Sequence, residues 1–184
     1  MEKWEICNLK ELCDFNQNSY GAKDEWEFIN YLDTGNITEN KINEIQLLNP
    51  LTDKIPSRAK RKIRINDIVY STVRPNQKHY GIIKEKIVNL LVSTGFVVIS
   101  AKKKINSDFL YNYITQPSIT ETLHGIAEQS TSAYPSIKQS DIENIEIALP
   151  SLSIQEKIAK IFNLIENLIK TNENVNKNLI FEVT

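Results

Sequence analysis

Glycine is scarce in this 184-residue chain: there are five, Gly21, Gly35, Gly81, Gly95 and Gly125. None of them builds a GxGxxG or a GxxxxGK run, so neither of the glycine-rich turns that cradle nucleotide phosphates can form. The only histidines, His79 and His124, make no HExxH and no ligand pair with a cysteine, and no catalytic metal site is expected. No GxSxG places a serine on a nucleophile elbow, and no Asp/Asn-Pro-Pro-aromatic stretch marks an amino-methyltransferase. Cys7 and Cys13 lack CxxC spacing. The N-terminus, MEKWEICNLKEL, carries no apolar segment followed by small residues, so two reduced, half-buried thiols in a cytoplasmic protein are expected. No apolar run approaches the ~18 residues of a membrane-spanning helix.

What the chain does have is 41% hydrophobic residues, enough for a core, and a hidden charge asymmetry. The overall net charge is −1, yet the window from Lys54 to Lys86 holds ten basic residues and two acids, a net +8, while the remainder sums to −9. A basic window of this density is the footprint of a polyanion partner.

Residues 1–15 read as a short lead-in. EFINYL is a strand candidate, followed by the Asp33-Thr34-Gly35-Asn36 turn signal. KINEIQLL fits a short strand or helix. PLTDKIPSRAKRKIRIN, with two prolines, reads as a basic connector. INDIVYSTVRP is a strand carrying Ile65, Ile68, Val69 and Val73. HYGIIKEKIVNLLVSTGFVVIS holds two more strand-like runs, and GFVVIS has the continuous apolar character of a buried strand. SDFLYNYITQPSITETLHGIAEQ reads as two helices, with Ser107 capping the first and Pro117 opening the second. QSTSAYPSIKQSDI is loop-like, and DIENIEIALP is a strand. Strands and helices interleave without a regular βαβ rhythm. The expected class is α+β with a twisted mixed or antiparallel sheet, a globular unit over 1–150 and a helical appendage over 151–184.

That appendage opens at LPSLSIQEKIAKIF. Ser153 followed by Glu156 matches a capping box. Placing Ile154 at d puts Ile154, Ile161, Leu168 and Val175 at d, and Ile158, Ile165, Asn172 and Leu179 at a. Seven of the eight are aliphatic, which is the seam of a coiled coil. Phe162 and Ile169 widen the stripe. Asn172 is either a register-fixing buried amide or the start of a frayed, asparagine-rich end. At ~1.5 Å per residue, 26 residues give a helix of about 39 Å, longer than a small domain needs. A partner helix is expected, from a second copy of the chain or from another protein.

One fragment points elsewhere. Asp24 with Glu39-Asn40-Lys41 has the spacing of a weak D…ExK nuclease pattern, built from residue types common enough to arise by chance.

Three stretches in order carry a family resemblance: INDIVYSTVRPNQKHYGII; LVSTGFVVIS with INSDFLYNYITQPSI; and GIAEQSTSAYPSIKQSDIENIEIALPSLSIQEKIAKIFNLIENLI. The succession resembles the target-recognition half of the specificity subunit of type I restriction–modification enzymes. Asn66-Asp67-Ile68 through Arg74 stands where the family has a GD-hydrophobic strand ending in arginine, with Asn66 in place of glycine. Ser93-Thr94-Gly95-Phe96 and the tyrosine-rich Phe109–Ile114 follow. Ile145 to Ile158 matches the closing I-x-I-P-L-P-P-L-x-x-Q-x-x-I, with Ala148 and Ser151 where proline is frequent. The resemblance covers about residues 1–180 and is most specific over its last forty.

The resemblance implies a DNA-recognition domain followed by a long conserved-region helix. It implies no catalytic residue and no cofactor in this chain, with S-adenosylmethionine bound by partner methyltransferase subunits and a translocase–nuclease subunit joining indirectly. Having one recognition half, the chain is expected to pair its helices in a homodimer and to read a bipartite site in double-stranded DNA. Base readout is expected from Arg74, Asn76, Gln77, Lys78, His79 and Tyr80, and from Gln129, Ser130, Thr131, Ser132 and Tyr134. Phosphate contacts are expected from Lys54, Arg58, Lys60, Arg61 and Lys62, with Tyr20 and Lys23 as a weaker third group. Tyr111 and Tyr113 are expected in the core. Two alternatives stand beside this: a nuclease built on Asp24, Glu39 and Lys41, and a coiled-coil adaptor that never touches DNA.

Overall fold

The computed structural model describes residues 4–130 and 134–181, the last five of these by their backbone alone. Phe96–Ala101 (β11) is the central strand of the chain, and both of its faces are buried over Phe96–Ile99. It pairs antiparallel with Ile68–Ser71 (β8) and with Cys13–Phe15 (β2), and β8 pairs with Tyr80–Ile82 (β9), giving a four-stranded sheet in the order β2-β11-β8-β9. A second sheet runs Gln46–Leu48 (β6), Ile29–Leu32 (β3), Leu90–Ser93 (β10) and Ala59–Lys62 (β7), in that spatial order. Its one parallel pair is β10 with β3. The α+β class holds, with two four-stranded sheets and two two-stranded pairs among the described residues where the sequence suggested one sheet.

Strand alternation sorts the core into layers. Ile68, Tyr70, Val97 and Ile99 face the helices: Leu9–Leu12 (α1), Ser107–Ile114 (α2) and Pro117–Glu128 (α3). On the opposite face, Val69, Phe96 and Val98 share a cluster with Leu32, Leu90 and Val92 of the second sheet. The far side of that second sheet buries Ile29, Tyr31 and Leu91 under Tyr20, Trp26 and Ile55. The GFVVIS run is apolar throughout because both of its faces are interior.

Several local expectations change. The N-terminal lead-in is part of the core: Glu5–Asn8 (β1) pairs with Glu146–Leu149 (β12), and Leu9, Leu12 and Cys13 are buried. The basic connector contains strand β7, whose ladder with β10 overrides the weak strand propensity of Ala-Lys-Arg-Lys. HYGIIKEKIVNLLVSTGFVVIS supplies three strands, β9, β10 and β11. Ile65 is exposed, and the INDIVYS strand begins at Ile68. Asn106, not Ser107, caps α2, its side chain accepting from the Asp108 and Phe109 amides. Ile142 lies on a short helix, Gln139–Glu143 (α4), before β12. Asn66, standing where the family has glycine, has φ 69°. Asparagine is the non-glycine residue that best tolerates this left-handed backbone.

The long helix, Leu152–Phe181 (α5), spans 30 residues, or about 45 Å. It starts before Ser153, so that residue sits inside the first turn; the Ser151 carbonyl accepts from the Ile154 and Gln155 amides. Its base packs on α2 through a stripe that the seven-residue pattern did not single out. Gln155 and Ala159 are buried, and Asn163, Glu166 and Glu173 are half-buried along the same side. Ile154 and Ile158 are half-buried beside them, while Ile161, Ile165, Leu168 and Val175 are exposed, as are Phe162, Leu164 and Ile169. Neighbouring residues lie about 100° apart around a helix, so the body takes the 155–159 stripe and the aliphatic stripe is left facing solvent. Asn172 is exposed within it, and the Leu179 side chain lies outside the described residues.

Gln155 fixes that base. Its Oε1 accepts from the Asn106 amide at 2.8 Å, and its Nε2 donates to the carbonyls of Pro150 at 2.8 Å and Lys104 at 3.2 Å. Replacing Gln155 by Leu strands a part-buried N–H and two carbonyls, that of Pro150 buried. The expected cost is about 3 kcal/mol, a fall in Tm of roughly 6–12 °C, read by calorimetry; a fall under ~2 °C would mean that water replaces the amide. Cys7 and Cys13 are free and buried rather than half-buried. Burial pushes the Cys13 thiol up to about 12, so at pH 8 it is almost wholly protonated and unreactive. Native protein is expected to leave both thiols unlabelled by an aromatic disulfide reagent at pH 8, with two labelled after denaturation.

Candidate nucleic-acid interface

Strand β8 ends at Ser71, whose hydroxyl accepts from the Val73 amide at 3.2 Å and starts a turn. Arg74 follows with φ 47° and ψ 69°, outside the right-handed region that a residue preceding proline avoids. Pro75–Gln77 form a single 3₁₀ turn, and Lys78 returns through φ 55° into β9. The loop projects Arg74, Asn76, Gln77 and Lys78 to solvent, with α3 packed beside the turn.

A second segment is zipped along this loop. The Arg74 amide donates to the Pro135 carbonyl and the Ile137 amide to the Thr72 carbonyl, each at 2.9 Å, and Val73 bridges to Ser136. The Arg74 guanidinium lies 5.6 Å above the exposed Tyr134 ring. Thus two stretches some 50 residues apart in sequence, both singled out as readers, form one surface. Gln129 is exposed, and the Ser130 hydroxyl accepts from the Ser136 amide at 3.4 Å; Thr131 and Ser132 lie outside the described residues.

The surface continues towards the basic strand. Thr72 donates from both its amide and its hydroxyl to the Gly95 carbonyl, at 2.8 and 2.9 Å, and the Thr94 amide donates to Arg58. A Cβ on Gly95 would come within 2.8 Å of the Thr34 methyl, which is why this turn is glycine. Strand β7 alternates buried Ala59, exposed Lys60 and half-buried Arg61. Its outer edge is covered by the segment that contains Tyr20, through Tyr20 N–H to the Lys60 carbonyl at 2.7 Å and Lys62 N–H to the Asn18 carbonyl at 3.0 Å. Tyr20 itself packs on Trp26 with ring centres 4.9 Å apart, and Lys23 is exposed.

Tertiary contacts redistribute the roles. Lys62 is ion-paired to Asp24 and lies 5.4 Å over Trp26, and Lys78 pairs with Glu39 at 2.7 Å. Lys84 pairs with Asp108. Three of the ten charges in the basic window are therefore met by carboxylates. Asp24 is held below the usual carboxylate range, first by the Lys62 hydrogen bond and then by the Gly21 amide. Tyr80 is a core residue, not a reader: it stacks on Tyr70 at 5.4 Å and meets Tyr111 edge-on, and burial pushes its hydroxyl up to about 12. Tyr111 is buried and Tyr113 half-buried. His79 is half-buried: its Nδ1 lies 2.7 Å from the Ile37 carbonyl, which can only accept, so Nδ1 carries the proton and ties the loop to a neighbouring hairpin, with the Thr38 hydroxyl 3.1 Å from the same nitrogen.

Asn16 was not foreseen. It sits just after β2 with φ 49°. Its Oδ1 accepts from the Val98 amide at 2.9 Å and from Arg61 Nη1 at 2.5 Å, and its Nδ2 donates to Gln139. One amide thereby fixes β11, β7 and the start of α4, and gives Arg61 a neutral partner that leaves its charge intact. An asparagine directly after a strand, tolerant of left-handed backbone, was the available signal. The D…ExK residues do not assemble: Asp24 engages Lys62, Glu39 engages Lys78, and Lys41 engages Glu173 at 3.0 Å. Among the described residues, no group of three or more His, Cys, Asp or Glu side chains is placed to hold a metal ion, and no helix is long and apolar enough to cross a membrane.

Residues 1–180 match the family model described as the type I restriction modification DNA specificity domain. The chain is 28% identical over 150 residues to the type I restriction enzyme HindI specificity subunit of Haemophilus influenzae, covering 81% of this chain and 32% of that one. It is 26% identical over 175 residues to the putative type I restriction enzyme MjaX specificity subunit of Methanocaldococcus jannaschii, covering 92% and 41%. Among solved structures, it superposes with a TM-score of 0.78 and 26% identity on a chain from work on complex assembly and conformational transition of the type I R-M system, covering 94% of this chain and 45% of that one. The HsdS subunit of Thermoanaerobacter tengcongensis shares the fold at a TM-score of 0.77 and 24% identity, covering 94% and 44%. The chain belongs to the type I restriction–modification DNA specificity domain family. It spans 32–45% of the length of these relatives.

Proposed function

We propose that this chain is a DNA-reading half of a type I restriction–modification specificity subunit, with residues 1–150 as the reader and 151–184 as the helix that spaces and joins it. The observation that carries this reading is the family match across residues 1–180. The continuous surface from Lys60 and Arg58 through Thr72 to Arg74 and Tyr134 supplies residues for the task. Arg74, Asn76 and Gln77 carry forked donors and acceptors suited to base edges in the major groove. Lys60, Arg58 and Arg61 suit phosphates, which position the domain without reading sequence. Methyl transfer belongs in this reading to partner methyltransferase subunits that bind S-adenosylmethionine, with the restriction subunit joining through them. The chain itself supplies recognition.

The exposed aliphatic stripe of α5 supports a helix-to-helix homodimer, because burying Ile161, Ile165, Leu168 and Val175 against a second copy removes them from water. A twofold dimer would read a bipartite, palindromic site. A coiled-coil adaptor that ignores DNA would use the same stripe, and DNA binding separates the two readings.

The test is to co-express the chain with its neighbouring methyltransferase subunit and sequence host DNA for modified adenine. A bipartite palindromic motif is expected; a stable complex that yields no motif would refute the proposal that this chain reads DNA as a dimer. Arg74→Ala is expected to relax the motif at one base pair, a loss of about 1–3 kcal/mol of discrimination. Lys60→Ala is expected to weaken binding to all duplexes alike and to lower the salt slope by about 1. Equal, sequence-independent losses from both would remove Arg74 from the readers. Ile161→Asp with Leu168→Asp is expected to yield folded monomers by light scattering, whereas an unchanged mass would exclude this stripe as the seam.

A further inference from the structure

A two-stranded hairpin, Ile37–Thr38 (β4) and Lys41–Ile42 (β5), stands between the Arg74–Tyr80 loop and the outer part of α5. Its turn residues, Glu39 and Asn40, are both left-handed, with φ 45° and 63°, the tight reversal that lets a two-residue turn follow the strand twist.

On one side the hairpin is bound to the loop. The Glu39 amide donates to the Lys78 carbonyl at 3.0 Å and the Asn40 amide to the Tyr80 carbonyl at 2.9 Å. Asn40 Oδ1 accepts from the Ile82 amide at 2.9 Å, and His79 Nδ1 donates to the Ile37 carbonyl. Glu39 pairs with Lys78. The fit is close: a Cβ on Gly81 would run into the Ile37 side chain and come within 2.9 Å of Asn40 Oδ1. On the other side, Lys41 Nζ reaches both carboxylate oxygens of Glu173 at 3.0 Å, and Glu166, Ile169 and Lys170 close the cleft against the hairpin turn.

The buried anchors of α5, Gln155 and Ala159, lie in its first turns, and Glu173 is 14 residues beyond Ala159, about 21 Å along the axis. A lateral contact at that distance limits the swing of the helix far better than one at its base. The contact is also weak, because the two side chains keep 62% and 43% of their surface open to water. We propose that the β4–β5 hairpin is a breakable strut, with Lys41 and Glu173 as positioning residues, that ties the angle of α5 to the conformation of the Arg74–Tyr80 loop. The value of this tie for function rests on the reading of that loop as DNA-contacting; the tie itself does not.

The test uses the full chain carrying Glu121→Cys and Asn174→Cys, both at exposed positions, with spin labels attached there while the buried Cys7 and Cys13 stay unlabelled. Distances by pulsed dipolar spectroscopy and amide exchange at residues 78–82 are compared between the parent, Lys41→Glu, and Lys41→Glu with Glu173→Lys. Lys41→Glu is expected to broaden the distance distribution at least twofold and to speed exchange at 78–82 about two- to fivefold, and the charge swap to restore both. An unchanged distribution in Lys41→Glu would overturn the strut. Broadening with unchanged exchange would leave a brace without a link to the loop, and would overturn the proposal as well. No DNA is present in this comparison, so a failure of the DNA-reading assignment shows separately, as absent binding of a random-sequence duplex to the parent.

Discussion

The double-sided burial of β11 is the constraint on which the rest of this fold depends. Four consecutive residues, Phe96 to Ile99, are removed from water alternately on the helical side and on the side of the second sheet. A strand with two interior faces needs covering layers on both, and each layer brings a different part of the surface into place. The helical layer carries α3, which packs beside the Pro75–Gln77 turn. The second sheet carries β7 and its basic side chains. The turn that joins β10 to β11 then sits between Arg58 and Thr72 and hydrogen-bonds to both. The candidate surface is in this sense a consequence of the core: its parts meet because β11 is packed from both sides.

Charge tells the same story at the surface. Along the chain the basic window looks uniform, but Lys62, Lys78 and Lys84 each meet a carboxylate from a distant segment. Those lysines are tied to other loops, whereas the exposed Lys60, Arg58 and Arg74 meet no carboxylate among the described residues. Arg61 has a third character: half-buried, held by the neutral amide of Asn16, and with its guanidinium pKa lowered by burial. A neutral partner orients a charge without cancelling it, an arrangement suited to receiving an anion.

The long helix combines two stripes with different chemistry. The inward one is small or polar, with Gln155, Ala159, Glu166 and Glu173; Gln155 is held by specific hydrogen bonds and Glu173 by Lys41. The outward one is aliphatic and turned to solvent. A helix that merely covered its own domain would place the aliphatic stripe inward. Docking at the base therefore combines the directional bonds of Gln155 with the packing of Ala159 and Ile158 on the core, and the aliphatic stripe beyond it is left exposed.

The sequence by itself determined the apolar run of β11, the helices at 107–114 and 117–128, the turn at Asp33–Asn36, and a long helix with an aliphatic stripe. Each follows from local pattern: periodicity, proline position and turn chemistry act within a few residues. It also determined the family, through motifs spread over nearly the whole chain. Only the tertiary structure decided which members of those patterns are available. Tyr80 and His79 were legible as polar loop residues beside Arg74, yet one stacks in the core and the other holds the Ile37 carbonyl. The stretch around Lys60 read as a connector because its propensities are weak, and its strand exists through pairing with β10. Asn16 and Gln155 act through partners dozens of residues away, which no local pattern encodes. Burial and long-range hydrogen bonding depend on which segments meet, and that is settled by the packing of the two sheets around β11.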